Sequence, residues 1–214
     1  MKVQQKTLIA NKKEIPYTHI ENGNEIVCFM FSGLSYTYDQ PLFYYSTMTM
    51  LQNEYDVVHV HYSYGQDIFK LPLAEITNMI SHDVKPIIDD VLKSNQYQET
   101  MFLGKSLGTI PLINDLMKNN RYVHSKMVLL TPLLRFDSIF ETLLMCKHST
   151  LIVIGEKDDH YIPSKIESIQ HQTNMEIKII PNANHSLEME PFHTAMSISA
   201  LDQVMKSVDD FIRL

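Results

Sequence analysis

A serine between two glycines stands where an apolar strand pattern gives way to a helical pattern. The segment Gly104-Lys105-Ser106-Leu107-Gly108 matches G-x-S-x-G, and glycines at these two positions let the backbone reverse sharply between a strand and a helix. The turn exposes the serine hydroxyl at the carboxyl end of the strand, close to the unpaired N–H groups of the helix N-terminus. This geometry suits a serine nucleophile. The motif alone is common, so the rest of the chain must decide between a nucleophile and an ordinary glycine-rich turn.

An acid and a histidine follow two later strand patterns. Asp158 and Asp159 come shortly after the apolar run that ends at Gly155, and His185 follows the run that ends at Ile180. The order serine, aspartate, histidine is the one that a serine hydrolase of the α/β type requires. In that chemistry the histidine takes the serine proton during attack and returns it to the leaving group, while the aspartate fixes the imidazole tautomer.

Two backbone N–H groups are candidates for an oxyanion hole, which stabilises the negative oxygen of a tetrahedral intermediate. One belongs to Leu107, directly after the serine, and the other to Leu34 in the loop after an apolar strand. Gly33 precedes Leu34, and we expect this glycine to allow the close backbone approach that the role needs.

Tyrosines and histidines near the predicted site have a functional and a structural interpretation. Tyr36, Tyr38 and Tyr64 follow strands that flank the site; they are our candidate substrate-binding residues, with simple packing as an equal alternative. His59 and His61 lie on one face of a predicted strand, but no third metal ligand is evident. We therefore interpret these two histidines as packed or rim residues and expect no metal site.

Strand and helix patterns alternate along the chain. Two extended stretches, 2–9 and 14–20, flank Asn11-Lys12-Lys13 and predict an antiparallel edge hairpin. Apolar runs predict buried strands at 26–31, 56–62, 100–104, 126–130, 150–155 and 176–180. Helical spacing predicts helices at 39–53, at 73–91 with a kink or division at Pro86, at 106–119 with distortion near Pro111, at 137–147 and at 196–212. The expected fold is a mostly parallel α/β sheet with helices on both faces.

These residues and elements together resemble the α/β-hydrolase superfamily over almost the whole chain. The resemblance rests on the edge hairpin, the glycine-serine turn and three loops: Ser32-Gly33-Leu34, Gly155-Glu156-Lys157-Asp158 and Asn184-His185-Ser186. Similar members are small serine esterases, thioesterases and acyl-ester hydrolases, so the resemblance implies the triad roles given above. About 17 residues separate Pro132 from Thr150, where many relatives insert a helical cap. This connection fits one helix and indicates a member without a cap domain.

The family pattern leaves two candidates for the acid. Asp158 lies three residues beyond Gly155, which is the usual family offset from the strand end, whereas Asp159 keeps the usual distance to Pro163. The strand is held by the sheet, while an additional residue in the following loop can be absorbed at the surface. We therefore expect Asp158 to be the acid of the triad.

Length and composition exclude several classes of protein. The 214 residues fit a single domain, 1–214, large enough to bury its own core. A net charge of -7 argues against nucleic-acid binding. No signal peptide or long apolar span is evident, so we expect a soluble, cytoplasmic protein. Cys28 and Cys146 lack the spacing of a redox or metal site, which predicts reduced core thiols.

The sequence thus predicts a serine hydrolase that cleaves a carboxylic ester or thioester through an acyl-enzyme. Ser106, His185 and Asp158 form its expected triad, and no metal or organic cofactor is expected. An amidase or peptidase on the same triad remains open, because the pocket selects the leaving group. A binding module on a hydrolase fold also remains open. Substrate identity and oligomeric state do not follow from the residues.

Overall fold

A computed structural model describes residues 1–10 and 13–214 of the chain. In these residues eight strands form one sheet, in the order β1-β2-β4-β3-β5-β6-β7-β8. The strands are β1 Lys2–Ala10, β2 Lys13–Glu21, β3 Ile26–Phe31, β4 Tyr55–Val60, β5 Glu99–Lys105, β6 Lys126–Leu130, β7 Thr150–Gly155 and β8 Met175–Ile180. The α-helices of the described residues are α1 Pro41–Gln52, α2 Leu73–Ser94, α3 Thr109–Asn114, α4 Asp137–Met145, α5 Pro163–Gln170 and α6 Thr194–Arg213.

The sheet is antiparallel at one end and parallel over the rest. β1 pairs antiparallel with β2, and β2 pairs antiparallel with β4. From β4 through β3 to β8 all neighbours are parallel. The predicted edge hairpin and mostly parallel sheet are therefore confirmed, while Asn11 and Lys12 of the predicted turn lie outside the described residues.

Helices cover both faces of the sheet. Side chains of α1 and α6 join one buried cluster, and side chains of α2, α3, α4 and α5 join the other. Alternate residues of a strand point to opposite faces. In β3, Phe29 therefore packs into the cluster of α2, α3, α4 and α5, and Met30 packs into the cluster of α1 and α6. Because the central strands are buried on both faces, they carry continuous apolar runs, which is why the sequence predicted them well.

Two of the predicted helices contain a proline, and neither helix ends at it. Pro86 stands inside α2 without dividing it; the buried side chains of Val84, Ile87 and Ile88 hold this helix against the core. After β5, a 3-10 turn at Ser106–Gly108 leads into α3, and a second 3-10 turn follows at Leu116–Lys118. The break comes at Asp115, with φ of -130°. Pro111 is the third residue of α3. The first N–H groups of a helix have no intrahelical acceptor, so the N–H that proline lacks costs no helix hydrogen bond here.

The connection between β6 and β7 contains α4 as its only helix among the described residues, so no cap domain is inserted there. The sequence missed α5, a helix of 8 residues with proline at its first position. Met196 and Ile198, at the start of the predicted helix 196–212, are exposed, because the buried row of α6 begins at Ala200. Over the described ranges, the helices are each too short or too polar to cross a bilayer.

Candidate active site

The turn after β5 explains why the sequence needs both glycines. A Cβ on Gly104 would lie 2.7 Å from the carbonyl oxygen of Gly108 and would overlap the side chain of Leu112. A Cβ on Gly108 would lie 2.8 Å from the carbonyl oxygen of Ser32. Ser106 itself adopts φ of +51°, a conformation that costs a non-glycine residue about 1 to 3 kcal/mol. The local fold therefore holds this serine in a strained backbone conformation at the end of the central strand.

Ser106, His185 and Asp158 form a continuous hydrogen-bonded chain. The Oγ atom of Ser106 lies 2.8 Å from Nε2 of His185, and Nδ1 of His185 lies 2.8 Å from Oδ2 of Asp158. The three residues follow β5, β8 and β7, whose carboxyl ends meet at one edge of the parallel sheet. With the Nδ1 proton donated to the carboxylate, Nε2 is free to accept the serine proton.

The two neighbouring aspartates have opposite environments. The side chain of Asp158 is fully buried, and its other oxygen, Oδ1, accepts the backbone N–H of His160 at 2.8 Å. Burial alone raises the pKa of Asp158, but the hydrogen bonds from His185 and His160 outweigh it and hold the pKa below its usual value. The Asp159 side chain is 86% exposed and lies 3.8 Å from Arg135. The structure thus brings Asp158, and not Asp159, to the histidine.

The loop that carries His185 packs closely on the end of β7. A Cβ on Gly155 would lie 2.6 Å from the carbonyl oxygen of Asn184, so this position also requires glycine. The side-chain oxygen of Asn184 accepts the backbone N–H of Ser186 at 2.9 Å and that of Glu188 at 3.2 Å. These bonds keep the loop in a fixed turn. They hold the side chain of His185, which is 37% exposed, at the open side of the site.

Lys105 is a buried cation that the sequence analysis did not single out. The ammonium Nζ donates to the carbonyl oxygen of His185 at 3.0 Å and lies 4.7 Å from the ring centre of Tyr36. Burial lowers the pKa of Lys105 to about 8, against the opposing attraction of Asp158 and Glu188. A lysine at the end of an otherwise apolar strand was the available signal in the sequence.

His160, in the loop after Asp158, is a second residue whose place at the site the sequence did not predict. Its ring lies 5.5 Å from the ring of His185, centre to centre. The Nδ1 atom of His160 is buried without a hydrogen-bond partner among the described residues, and burial lowers the pKa of the imidazole. A second, neutral imidazole therefore borders the hydrogen-bonded chain.

The loop after β3 lies directly against the serine turn. A Cβ built on Gly33 would be 3.5 Å from Cβ of Ser106 and 3.4 Å from the carbonyl oxygen of Lys105. The loop therefore approaches the serine turn closely, at distances that a Cβ could also occupy in ordinary contact. The hydroxyl of Tyr62 donates to the carbonyl oxygen of Ser32 at 2.6 Å. This bond fixes the loop beside Ser106, and Leu34 follows Gly33 in the same loop.

The three candidate substrate-binding tyrosines line a cavity of about 790 Å³, together with Gly33, Leu34 and Leu107. Two of the three hydroxyls already donate within the protein. Tyr38 shares its proton between two backbone carbonyl oxygens, at 2.7 and 2.9 Å, and Tyr64 donates to Asp83 at 2.5 Å. The Tyr36 hydroxyl accepts a backbone N–H at 3.2 Å and can still donate. Tyr38 and Tyr64 therefore offer their rings to a ligand in the cavity, whereas Tyr36 offers its ring and a donor proton.

His59 in β4 and His61, which directly follows that strand, each contact a threonine. Nε2 of His59 lies 2.8 Å from Oγ1 of Thr47, and Nε2 of His61 lies 2.7 Å from Oγ1 of Thr18. In the part of the chain that the structure describes, no three acidic, cysteine or histidine side chains converge to hold a metal ion. Both cysteines are free thiols, Cys28 buried as expected and Cys146 only partly buried.

The strand order, the strained serine turn and the loops after β7 and β8 define the α/β-hydrolase fold. No family model matches the sequence, and no curated protein matches it.

Solved structures of similar fold include enzymes and a lidless hydrolase. The chain is similar to Est1E from Butyrivibrio proteoclasticus, with a TM-score of 0.70, 13% identity and 97% of each chain covered. It is equally similar to the esterase Pf2001 of Pyrococcus furiosus, with a TM-score of 0.70, 13% identity and coverage of 99% of this chain and 92% of that one. XC6422 from Xanthomonas campestris, an α/β serine hydrolase without a lid, gives a TM-score of 0.70 at 11% identity, covering 99% and 94%. At identities of 11 to 13%, this structural similarity establishes the fold alone.

Proposed function

We propose that the protein is a serine hydrolase that cleaves a carboxylic ester or thioester through an acyl-enzyme. The observation that carries the proposal is the hydrogen-bonded chain from Ser106 through His185 to Asp158, with both links at 2.8 Å. Its position at the carboxyl edge of an α/β-hydrolase sheet supports the same conclusion, because the nucleophile, base and acid of such enzymes occupy these three strand ends.

The first half of the reaction forms the acyl-enzyme. Oγ of Ser106 attacks the carbonyl carbon of the substrate while Nε2 of His185 takes the hydroxyl proton, and Asp158 stabilises the resulting imidazolium. The tetrahedral intermediate then breaks its bond to the leaving alcohol or thiol, which receives that proton from Nε2. The leaving group must therefore depart on the side of Ser106 where His185 lies.

The second half returns the enzyme to its starting state. Nε2 of His185 takes a proton from water, the hydroxide adds to the acyl carbon, and collapse of the second intermediate returns the proton to Ser106 and releases the acid. In both halves the N–H groups of Leu107 and Leu34 stabilise the oxyanion, and loss of one such donor costs about 2.7 to 4 kcal/mol. Tyr36, Tyr38 and Tyr64 line the adjoining cavity for the substrate.

A fluorophosphonate probe tests the nucleophile directly. We expect the wild type to be labelled at Ser106, and Ser106→Ala to lose both labelling and ester hydrolysis, with a loss of about 10⁴ to 10⁶ in kcat. Ser94→Ala, at an exposed serine that ends α2, is the matched control and should behave as the wild type. Labelling that persists in Ser106→Ala would overturn the proposal.

A panel of esters, thioesters and amides with matched acyl groups distinguishes the other possibilities. Hydrolysis of the amides at rates equal to those of the esters would favour an amidase or peptidase on the same residues. A protein that is neither labelled nor active on any substrate would instead be a binding module on a hydrolase fold.

A further inference from the structure

The cavity beside Ser106 lies between α1 and the outer strands of the sheet, and we call it the α1 groove. Its inner end is lined by Gly33, Leu34 and Leu107, and its outer end by residues of β1 and β2 such as Val3 and Ile20. The pairing register places Gln5 of β1, Thr18 of β2 and His59 of β4 in one row across the sheet. All three residues line the groove, so its floor is the sheet face that α1 leaves uncovered.

The topology separates the groove from the side where a leaving group departs. Ser106 follows β5, which stands in the middle of the sheet, while β4 and β2 lie on one side of it and β7 and β8 on the other. His185 follows β8 and is absent from the groove lining in the described residues, whereas Leu34 and Leu107 belong to it. A substrate carbonyl placed at these two residues therefore directs its leaving group toward β8 and its acyl chain toward the groove.

The side chains of the groove are neutral over most of its wall. The hydroxyl of Thr47 donates to a backbone carbonyl oxygen at 2.8 Å, so its oxygen accepts the Nε2 proton of His59. Burial lowers the pKa of His59 to about 3 and also lowers that of His61. No lysine or arginine side chain lines the groove in the ranges that the structure describes, and Asp39 places a carboxylate on its wall. The ammonium of Lys105 lies 4.7 Å from the ring centre of Tyr36 but is not part of the described lining, and it donates to the carbonyl oxygen of His185. An anionic acyl group would therefore meet the Asp39 carboxylate in the groove without a lining lysine or arginine to pair with it.

Apolar and aromatic surface makes up the rest of the wall. Leu34, Met48 and Leu51 line the groove beside the tyrosines, and the ring of Tyr38 stacks on that of His59 with centres 4.1 Å apart. The volume of about 790 Å³ lies within the range of about 300 to 1,000 Å³ of small-molecule sites. An acetyl group would leave most of this space unused.

We propose that the α1 groove binds the acyl part of the substrate and selects neutral, largely apolar acyl groups that are clearly larger than acetyl. This proposal rests on the proposed function, because it assumes that Ser106 becomes acylated. It adds the direction in which the acyl chain lies and the chemical class that fits.

Esters with a common p-nitrophenol leaving group test the proposal. Each methylene buried in the groove is worth up to about fourfold in kcat/KM, so hexanoate should exceed acetate by at least tenfold. The glutarate monoester, which carries a carboxylate at the end of a chain of similar length, should fall at least tenfold below hexanoate. Equal rates for acetate and hexanoate would overturn the assignment of the groove, and equal rates for hexanoate and glutarate would overturn its selectivity for neutral groups.

A blocking substitution tests the location. Met48 is 41% exposed on α1 and lines the groove, so Met48→Trp should lower kcat/KM for hexanoate at least tenfold and leave acetate within twofold. Met196 is 50% exposed on α6 and does not line the described part of the groove, so Met196→Trp should change neither rate. If Met48→Trp kept the wild-type ratio of hexanoate to acetate hydrolysis, the assignment of the groove would be overturned and the proposed function would stand. Absence of hydrolysis of every ester would overturn the proposed function as well.

Discussion

Replacement of the buried ammonium of Lys105 by an apolar side chain of similar size should make the protein more stable. Burial lowers the pKa of this lysine from 10.5 to about 8, and each unit corresponds to about 1.4 kcal/mol. The charged form therefore costs the folded state about 3 kcal/mol at neutral pH. Lys105→Met removes this cost but also leaves the His185 carbonyl without its donor. Since that loop is partly exposed and can be hydrated, we expect a net gain of about 1 to 3 kcal/mol in the free energy of unfolding at pH 7.

The difference in stability between the wild type and Lys105→Met should depend on pH. Because the pKa of Lys105 is lower in the folded protein than in the unfolded chain, the unfolded chain binds more protons between about pH 8 and 10.5. The stability of the wild type relative to Lys105→Met must therefore rise across this interval, and the cost of the charge is fully present below it.

Urea unfolding of both proteins at pH 7, 8.5 and 10 measures this difference, with Lys157→Met, at an exposed lysine, as the control. The difference in the free energy of unfolding between Lys105→Met and the wild type should become smaller as the pH rises. The difference between Lys157→Met and the wild type should not change with pH. A variant that is less stable than the wild type at pH 7, or a gap that is constant with pH, would refute the argument. The stabilised variant should also lose at least tenfold in kcat, because the lysine holds the backbone of the histidine loop.

Three further substitutions test the site and its support. Asp158→Asn should lower kcat by about 10⁴, while Asp159→Asn, at its exposed neighbour, should change kcat less than threefold; ester kinetics that rank the pair in reverse would identify Asp159 as the acid. Gly108→Ala should destabilise the fold by several kcal/mol or prevent folding, because its Cβ overlaps the β3 backbone. Gly65→Ala, with open space around the position, should leave the urea midpoint nearly unchanged. Tyr38→Phe should cost about 0.5 to 1.5 kcal/mol, because it removes a buried hydroxyl that donates to the carbonyl oxygens of Met30 and Val60, and an unchanged urea midpoint would contradict that.

The elements that the sequence predicted best are those whose signal is local. Strands buried on both faces are apolar without interruption, and the β5 turn requires glycine at positions 104 and 108 for reasons of backbone space. Helix interruptions were predicted less well, because tertiary packing decided them. Pro86 was expected to kink or divide α2, yet the helix continues through it undivided, with buried neighbours on the same helix.

The environment of the site depended on contacts that no local pattern contains. Lys105 meets the carbonyl of a residue 80 positions later in the chain, so its burial could not be deduced from the motif around it. His160 stands in a loop, and nothing in its neighbourhood predicts that the turn after Asp158 brings its ring against that of His185. The two adjacent aspartates were separated in the sequence only by an argument about loop offsets, whereas burial separates them in the structure.

The distances along the chain between Ser106, Asp158 and His185 have a consequence for folding. The bond between Asp158 and His185 spans 27 residues and the bond between His185 and Ser106 spans 79, while the edge hairpin closes among the first 21 residues. Contacts across long loops form only after their closure entropy has been overcome. During refolding, reactivity of Ser106 should therefore return later than the hairpin, once β5, β7 and β8 have joined one sheet. A truncated chain that ends before β8 lacks the histidine altogether, so labelling of the serine reports on completion of the whole sheet.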